Sequence, residues 1–285
     1  MSGNRLLLST LLKVLMGNQP IGVFDSGLGG LSVLLEIERQ LPQEDLIYVA
    51  DSAHAPYGAK TAEYIAERCI KISEFLLSQN VKLIVVACNT ATAYAVEVLR
   101  QHLTIPVIGL EPAVKPAVKI TQNGKIGVLA TRQTAQSTRL KRLIETHAQS
   151  TQVLVQACAG LVEHVEQGDF NSVELKQLLG EYLKPLQEQG VDTLVLGCTH
   201  YPFLRETLCE LTQGQMTIVE TSQAVTRQVL NILTQRNLLQ STQNDQRQVQ
   251  FYSSLRGDVL EKSAKSAALL WQGELELLPL PSTFC

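Results

Sequence analysis

Neither sign of charge dominates this chain: 24 Lys and Arg stand against 27 Asp and Glu, a net charge of −3 with a pI near 6.0. No basic field exists to gather a polyanion, and no Lys/Arg cluster falls on a helix face that the sequence predicts, which excludes nucleic acid as a partner. Long apolar runs are missing too. The best candidate, RLLLSTLLKVLM at 5–16, is broken by Lys13, is too short to span a bilayer, and is followed by GNQP without a small-residue cleavage pattern. Membrane-spanning and secretory readings fall with it, and a cytoplasmic location is the expectation. Cysteine is sparse, six in 285 residues, without the dense spacing of a disulfide scaffold, so free thiols in a reducing compartment are expected. A zinc site lacks its ligands, since Cys198 with His200 is the one short pair. The turn DSGLGGLS at 25–32 is no nucleotide loop: a G-x-G-x-x-G frame from Gly27 requires glycine at 32 and meets Ser32, and no P-loop lysine follows.

What the chain does contain is a duplication. KLIVVACNT at 82–90 and DTLVLGCTH at 192–200 deliver Cys88 and Cys198 after equivalent apolar runs, 110 positions apart (198 − 88 = 110). IGVFDS at 21–26 and IGVLAT at 126–131 repeat at 105 (126 − 21 = 105). Two related halves follow, and two matching thiols suggest one site with two matching sides.

From Pro20 onward, short β-branched runs alternate with helical patterns, which predicts parallel sheets covered on both faces. The fold class is therefore α/β: two similar parallel-sheet domains related by pseudo-twofold symmetry, with the active site in the cleft between them. The chain divides into an N-terminal extension at 1–20, a first domain from 21–113 plus 227–285, and a second domain at 114–226. Leu8, Leu11, Leu12 and Leu15 at i, i+3, i+4 and i+7 predict a short amphipathic helix in the extension.

In open parallel sheets, ligands bind beyond the carboxyl ends of the strands, where the following helices point free N–H groups. Cys88 and Cys198 fall on that edge. Asn89 and Thr90 are expected to cap the helix after Cys88, Pro202 suits the first turn after Cys198, and a helix N-terminus there favours thiolate over thiol. A single cysteine in such a place reads as a small core residue, but the duplication and the polar neighbours Asn89, Thr90, Thr199 and His200 select the chemical reading. Cys69, Cys158, Cys209 and Cys285 lack that setting and read as structural. Gly27, Gly29 and Gly30 let backbone approach a small carboxylate or amine beside Asp25 and Ser26, and Tyr57 with Gly58 in HAPYG follow a strand end on the same edge.

DSGLGGLSVL, ADSAHAPYG, VVACNTATA and LVLGCTHYPFL, in that order over roughly residues 20–270, resemble the signature segments of glutamate racemase, in the cofactor-independent aspartate/glutamate racemase superfamily. The resemblance implies interconversion of L- and D-glutamate without pyridoxal phosphate or metal, supplying D-glutamate for peptidoglycan. It places Cys88 and Cys198 as catalytic thiols, with Asp25 assisting Cys88 and His200 assisting Cys198. Asp25, Ser26, Tyr57, Gly58, Asn89, Thr90, Thr199 and His200 match the substrate-binding pairs. Asp51 and Glu166 are secondary candidates, and Glu220 in VETSQAV stands where the family often has an aspartate. A muramoyl peptidoglycan precursor as activator and a homodimer are further expectations of the resemblance.

Chemistry alone agrees, because racemisation requires a base on one face of the α-carbon and an acid on the other, with roles exchanged in reverse. Aspartate or hydantoin racemisation, a one-cysteine hydrolase or transferase with His200 as base, and a non-catalytic module binding small acidic ligands are the competing readings. Because the first sheet is predicted to start at Ile21, deleting residues 1–19 should leave soluble, folded protein. Circular dichroism and a thermal melt check this, and loss of the folded protein would make the segment part of the core.

Overall fold

The computed structural model describes residues 18–240 and 247–285; the leucine stripe expected at 8–15 lies outside the described residues. In the first half, strands β1 (Ile21–Asp25), β2 (Leu46–Ala50), β3 (Leu83–Val86) and β4 (Val107–Gly109) alternate with helices α1 (Leu31–Gln40), α2 (Ala62–Ser78) and α3 (Asn89–His102). Every residue of β1, β2 and β3 is buried, the pattern that a parallel sheet covered on both faces imposes.

A short α4 (Val114–Ile120) leads into the second half. There β5 (Lys125–Ala130) is followed by α5 (Arg132–Gln136) and α6 (Thr138–His147), and β6 (Gln152–Ala157) by α7 (Leu161–Glu166) and α8 (Val173–Glu188). Next come β7 (Thr193–Gly197), α9 (Arg205–Leu211) and β8 (Thr217–Val219). All these pairings are parallel, and the strand orders are β2-β1-β3-β4 and β6-β5-β7-β8. The four strands β2-β1-β3-β4 thus recur as β6-β5-β7-β8, with Cys88 just beyond β3 and Cys198 just beyond β7. β6 departs from the all-buried pattern because it is an edge strand, and each of its residues is exposed or half-buried.

The chain then returns to the first half. α10 (Ser222–Gln235) runs unbroken and packs on α1, and β9 (Val249–Ser253) and β10 (Leu277–Pro279) extend the first sheet past β2. Between them α11 (Gly257–Trp271) packs on α1 and touches α7 of the second half. One apolar cluster joins Leu28, Leu31 and Val33 of the first half to Leu161, Val165, Leu196 and Tyr201 of the second, so the seam between the halves is itself a core. Among the described residues, no helix is long and apolar enough to cross a membrane.

Candidate active site

Both sheets aim their carboxyl edges at one tight cavity, about 270 Å³ of atom-free space with its mouth included. Cys88 with Asn89 and Thr90 lines one side, and Cys198 with Thr199 and His200 lines the other. Ser26, Pro56, Tyr57, Gly58, Thr131 and Val162 complete the wall. Cys88 and Cys198 are both free and both buried, at 5% and 6% exposure.

Cys88 caps α3 itself: its Sγ accepts the N–H of Ala91 at 3.4 Å. The expectation that Asn89 and Thr90 cap this helix is therefore corrected, because helix geometry already begins at Asn89 and the thiol occupies the cap. The Cys88 thiol also donates to Ser26 Oγ at 3.7 Å. Its pKa is pushed well above the usual thiol range by burial and by the nearby Asp25 carboxylate, against the pull of the Ala91 N–H. At Cys88 the helix N-terminus, which favours thiolate, is therefore outweighed. Desolvation of a fully buried anion outweighs one helix N–H.

Asp25 lies behind the cavity wall. Its carboxylate accepts the N–H groups of Ser26 at 2.7 Å and Gly30 at 2.6 Å, and the Thr199 hydroxyl at 3.1 Å from across the seam. Burial raises its pKa, opposed by His200 and by a hydrogen bond from Cys88. Asp25 thereby positions the turn after β1 and fixes Thr199.

Cys198 Sγ lies 3.6 Å from His200 Nδ1, and His200 Nε2 lies 2.6 Å from Glu166 Oε1. Burial alone would discharge the imidazole. Its hydrogen bonds to Cys198 and Glu166 instead raise its pKa well above the ordinary histidine range, with their charges adding to the effect. The Gly29 N–H also reaches Nε2, at 3.2 Å. Glu166 is held in turn by the Leu28 N–H at 2.6 Å.

The glycine-rich turn has a steric task. A Cβ on Gly27 would lie 2.1 Å from Glu166 Oε1, and one on Gly29 would lie 2.3 Å from His200 Nδ1. Only a bare backbone can approach the second half this closely.

Tyr57 presents its ring, because its hydroxyl donates to Asp51 at 2.6 Å. Arg68 grips the same carboxylate through Nε at 3.0 Å and Nη2 at 2.8 Å. Asp51 thus anchors the Tyr57–Gly58 turn from below. Glu220 follows β8, half-buried and outside the cavity lining.

Thr131 and Thr134 escaped the sequence reading. Their hydroxyls form a triangle with Thr90: 2.9 Å from Thr90 to Thr131, 3.1 Å from Thr90 to Thr134, and 3.1 Å between Thr131 and Thr134. The signal was present, since Thr131 stands in IGVLAT where Ser26 stands in IGVFDS. Asn89 Oδ1 is buried without a hydrogen-bond partner. Among the described residues, no group of three or more His, Cys, Asp or Glu is placed to hold a metal ion.

The sequence profile of Asp/Glu/hydantoin racemases matches residues 21–229. The chain belongs to the Asp/Glu/hydantoin racemase family. Within that racemase family it is 52% identical over 224 residues to a glutamate racemase of Pseudomonas aeruginosa, covering 78% of this chain and 84% of that one. The crystal structure of a glutamate racemase isoform from Bacillus anthracis superposes with a TM-score of 0.82 at 32% identity, covering 93% and 98% of the two chains. That of Escherichia coli glutamate racemase, in complex with L-glutamate and the activator UDP-MurNAc-ala, gives 0.79 at 32% identity, covering 92% and 97%.

Two outcomes are expected. Gly29→Ala should displace the His200 ring and lower kcat by about 10²-fold, with the melting temperature nearly retained, as misplacement of a reacting group by about 1 Å does; unchanged kcat would show that the close approach is dispensable. In Glu166→Gln the imidazolium loses one stabilising charge, so its folded-state pKa falls and the proton leaves at lower pH. An NMR titration of the His200 ring should show that downward shift, whereas an unmoved midpoint would assign the raised pKa to Cys198 alone.

Proposed function

We propose that this protein interconverts L- and D-glutamate by a two-thiol acid/base mechanism and supplies D-glutamate for peptidoglycan. The observation that carries the reading is a pair of free, buried thiols, from equivalent strand ends of two halves, on one tight cavity. Glutamate racemases among the relatives support the choice of substrate.

In the direction from L to D, Cys198 acts as the base. His200 Nδ1 stands 3.6 Å from its sulfur as its hydrogen-bond partner. The sulfur takes the α-proton, and the electron pair left on the α-carbon delocalises into the α-carboxylate. Cys88, kept protonated by burial and by Asp25, then delivers its proton to the opposite face. In the return direction the roles exchange. The carbanion-like intermediate is the costly species, and preorganised donors at the substrate carboxylates lower it in a site that excludes water. The hydroxyls of Thr90 and Thr131 and the N–H groups at the start of α3 are those donors. Asn89 Oδ1 supplies the acceptor that the substrate ammonium requires. Ser26 and the Tyr57–Gly58 turn shape the remaining wall, and the activator bound to the related Escherichia coli enzyme extends to this chain the proposal of a muramoyl-precursor activator.

The array Glu166–His200–Cys198 also has the order orienter, base and nucleophile, which is the observation favouring a one-cysteine hydrolase. The two readings separate cleanly. Cys88→Ala and Cys198→Ala should each lower racemisation in both directions by about 10²–10⁴-fold. In heavy water the surviving thiol should still exchange the α-proton of one enantiomer, D-glutamate for Cys88 and L-glutamate for Cys198. Wild-type turnover in either variant would eliminate the mechanism, and an acyl-enzyme trapped on Cys198 would establish the hydrolase.

A further inference from the structure

A second, larger hollow lies directly outside the thiol cavity. It holds about 1250 Å³ of atom-free space, its mouth included, and runs between α7, α11 and the 52–56 turn. The two spaces share Pro56 and Val162 in their linings, so these two residues form the partition between the open groove and the closed site.

The groove is built for a charged solute. Val259, Lys262, Ser266 and Leu269 fall at helical spacing on one face of α11, with Lys265 three residues beyond Lys262. Lys262 and Lys265 are exposed, while Ser263 and Ser266 lie at the groove floor, at 9% and 8% exposure. The hydroxyls of Ser263 and of Ser52, on the facing turn, are buried and make no hydrogen bond. Two carboxylates also line it. Glu166 is engaged by His200 and by the Leu28 N–H, which leaves Glu163 against two ammonium groups. Two exposed lysines at the mouth, unsatisfied hydroxyls on the floor and an apolar partition at the inner end make a graded path for a small dicarboxylate.

We propose that this groove is the vestibule through which the acidic substrate reaches the thiols, with Lys262 and Lys265 drawing it in and Pro56 with Val162 as the door. The proposal rests on the glutamate racemase reading for the identity of the substrate, an amino acid with net charge −1 near neutral pH. A charged channel with low-dielectric walls raises the encounter rate of an oppositely charged ligand and loses that advantage as salt screens it. The lysines touch no reacting atom, so their effect belongs to capture and not to proton transfer.

The test is the double variant Lys262→Gln/Lys265→Gln. At low ionic strength kcat/KM for both glutamate enantiomers should fall by about tenfold, the lower end of what focused fields provide, with kcat nearly unchanged. Near 1 M salt, where the screening length is about 3 Å, the variant and the parent should converge. A kcat/KM equal to the parent's at low salt, or a loss that persists at high salt, would overturn the proposal. A second measurement needs no turnover. Iodoacetate and iodoacetamide both alkylate a thiolate, forming a C–S bond as iodide leaves, and differ in charge. The double variant should lose about tenfold in the iodoacetate-to-iodoacetamide rate ratio at Cys198, read by peptide mass, and not at the exposed Cys209. An unchanged ratio, or a Cys198 inert to both reagents while Cys209 reacts, would refute the vestibule. A parent protein that fails to racemise glutamate yet shows the charge-dependent ratio would instead refute the choice of reaction.

Discussion

The approach of the turn after β1 to the second half is the contact on which the site depends. Leu28 N–H holds Glu166, Glu166 holds His200, and His200 stands beside Cys198, so one backbone segment of the first half orients the base assembly of the other. Thr199 answers in the opposite direction by donating to Asp25, and Ser32 donates to the Thr199 carbonyl at 2.9 Å. A matching seam closes the far side, where Thr90 meets Thr131 and Thr134, Gln133 donates to the Lys60 carbonyl, and Gly58 packs on Thr131. The cavity exists because both seams close around it, and the apolar cluster beneath the first keeps the halves from drifting apart.

Burial then sets the chemistry. A thiol removed from water resists ionisation, and at Cys88 the Asp25 carboxylate reinforces that resistance. At Cys198 the same low-dielectric setting is met by a cation, because Glu166 and Cys198 together hold the proton on His200. Two sulfurs delivered by the same strand-end geometry are thereby given opposite electrostatic surroundings.

Much of this was legible in the sequence because repetition leaves a pattern that survives without coordinates. The offsets of 110 and 105 marked Cys88, Cys198 and the two opening strands, and wholly apolar runs announced parallel sheets. Asn89, Thr199 and His200 followed from their adjacency to the cysteines. Other features depended on contacts between residues far apart in the chain. The role of Glu166 comes from hydrogen bonds to Leu28 and His200, 138 and 34 positions away. Thr134 acquires meaning only when α5 is laid against Thr90, 44 positions earlier. Which of the two thiols is held protonated could not be read for the same reason: a helix N-terminus is visible in sequence, whereas the complete desolvation of Cys88 and the position of Asp25 belong to the folded state.

The unequal surroundings of the two thiols raise a question that thermodynamics answers. L- and D-glutamate have the same free energy, so for a racemase the ratio of kcat/KM in the two directions must equal one whatever the protein does to either face. Asymmetry at Asp25 and Cys88 against His200 and Cys198 therefore has no leverage on the position of equilibrium. It acts on how each direction divides its barrier between binding and proton transfer, so kcat and KM differ between enantiomers while their ratio does not. Duplication supplied matched positions for the sulfurs, and divergence of their neighbours, Asn89–Thr90 on one side and Thr199–His200 on the other, gave the two positions different surroundings.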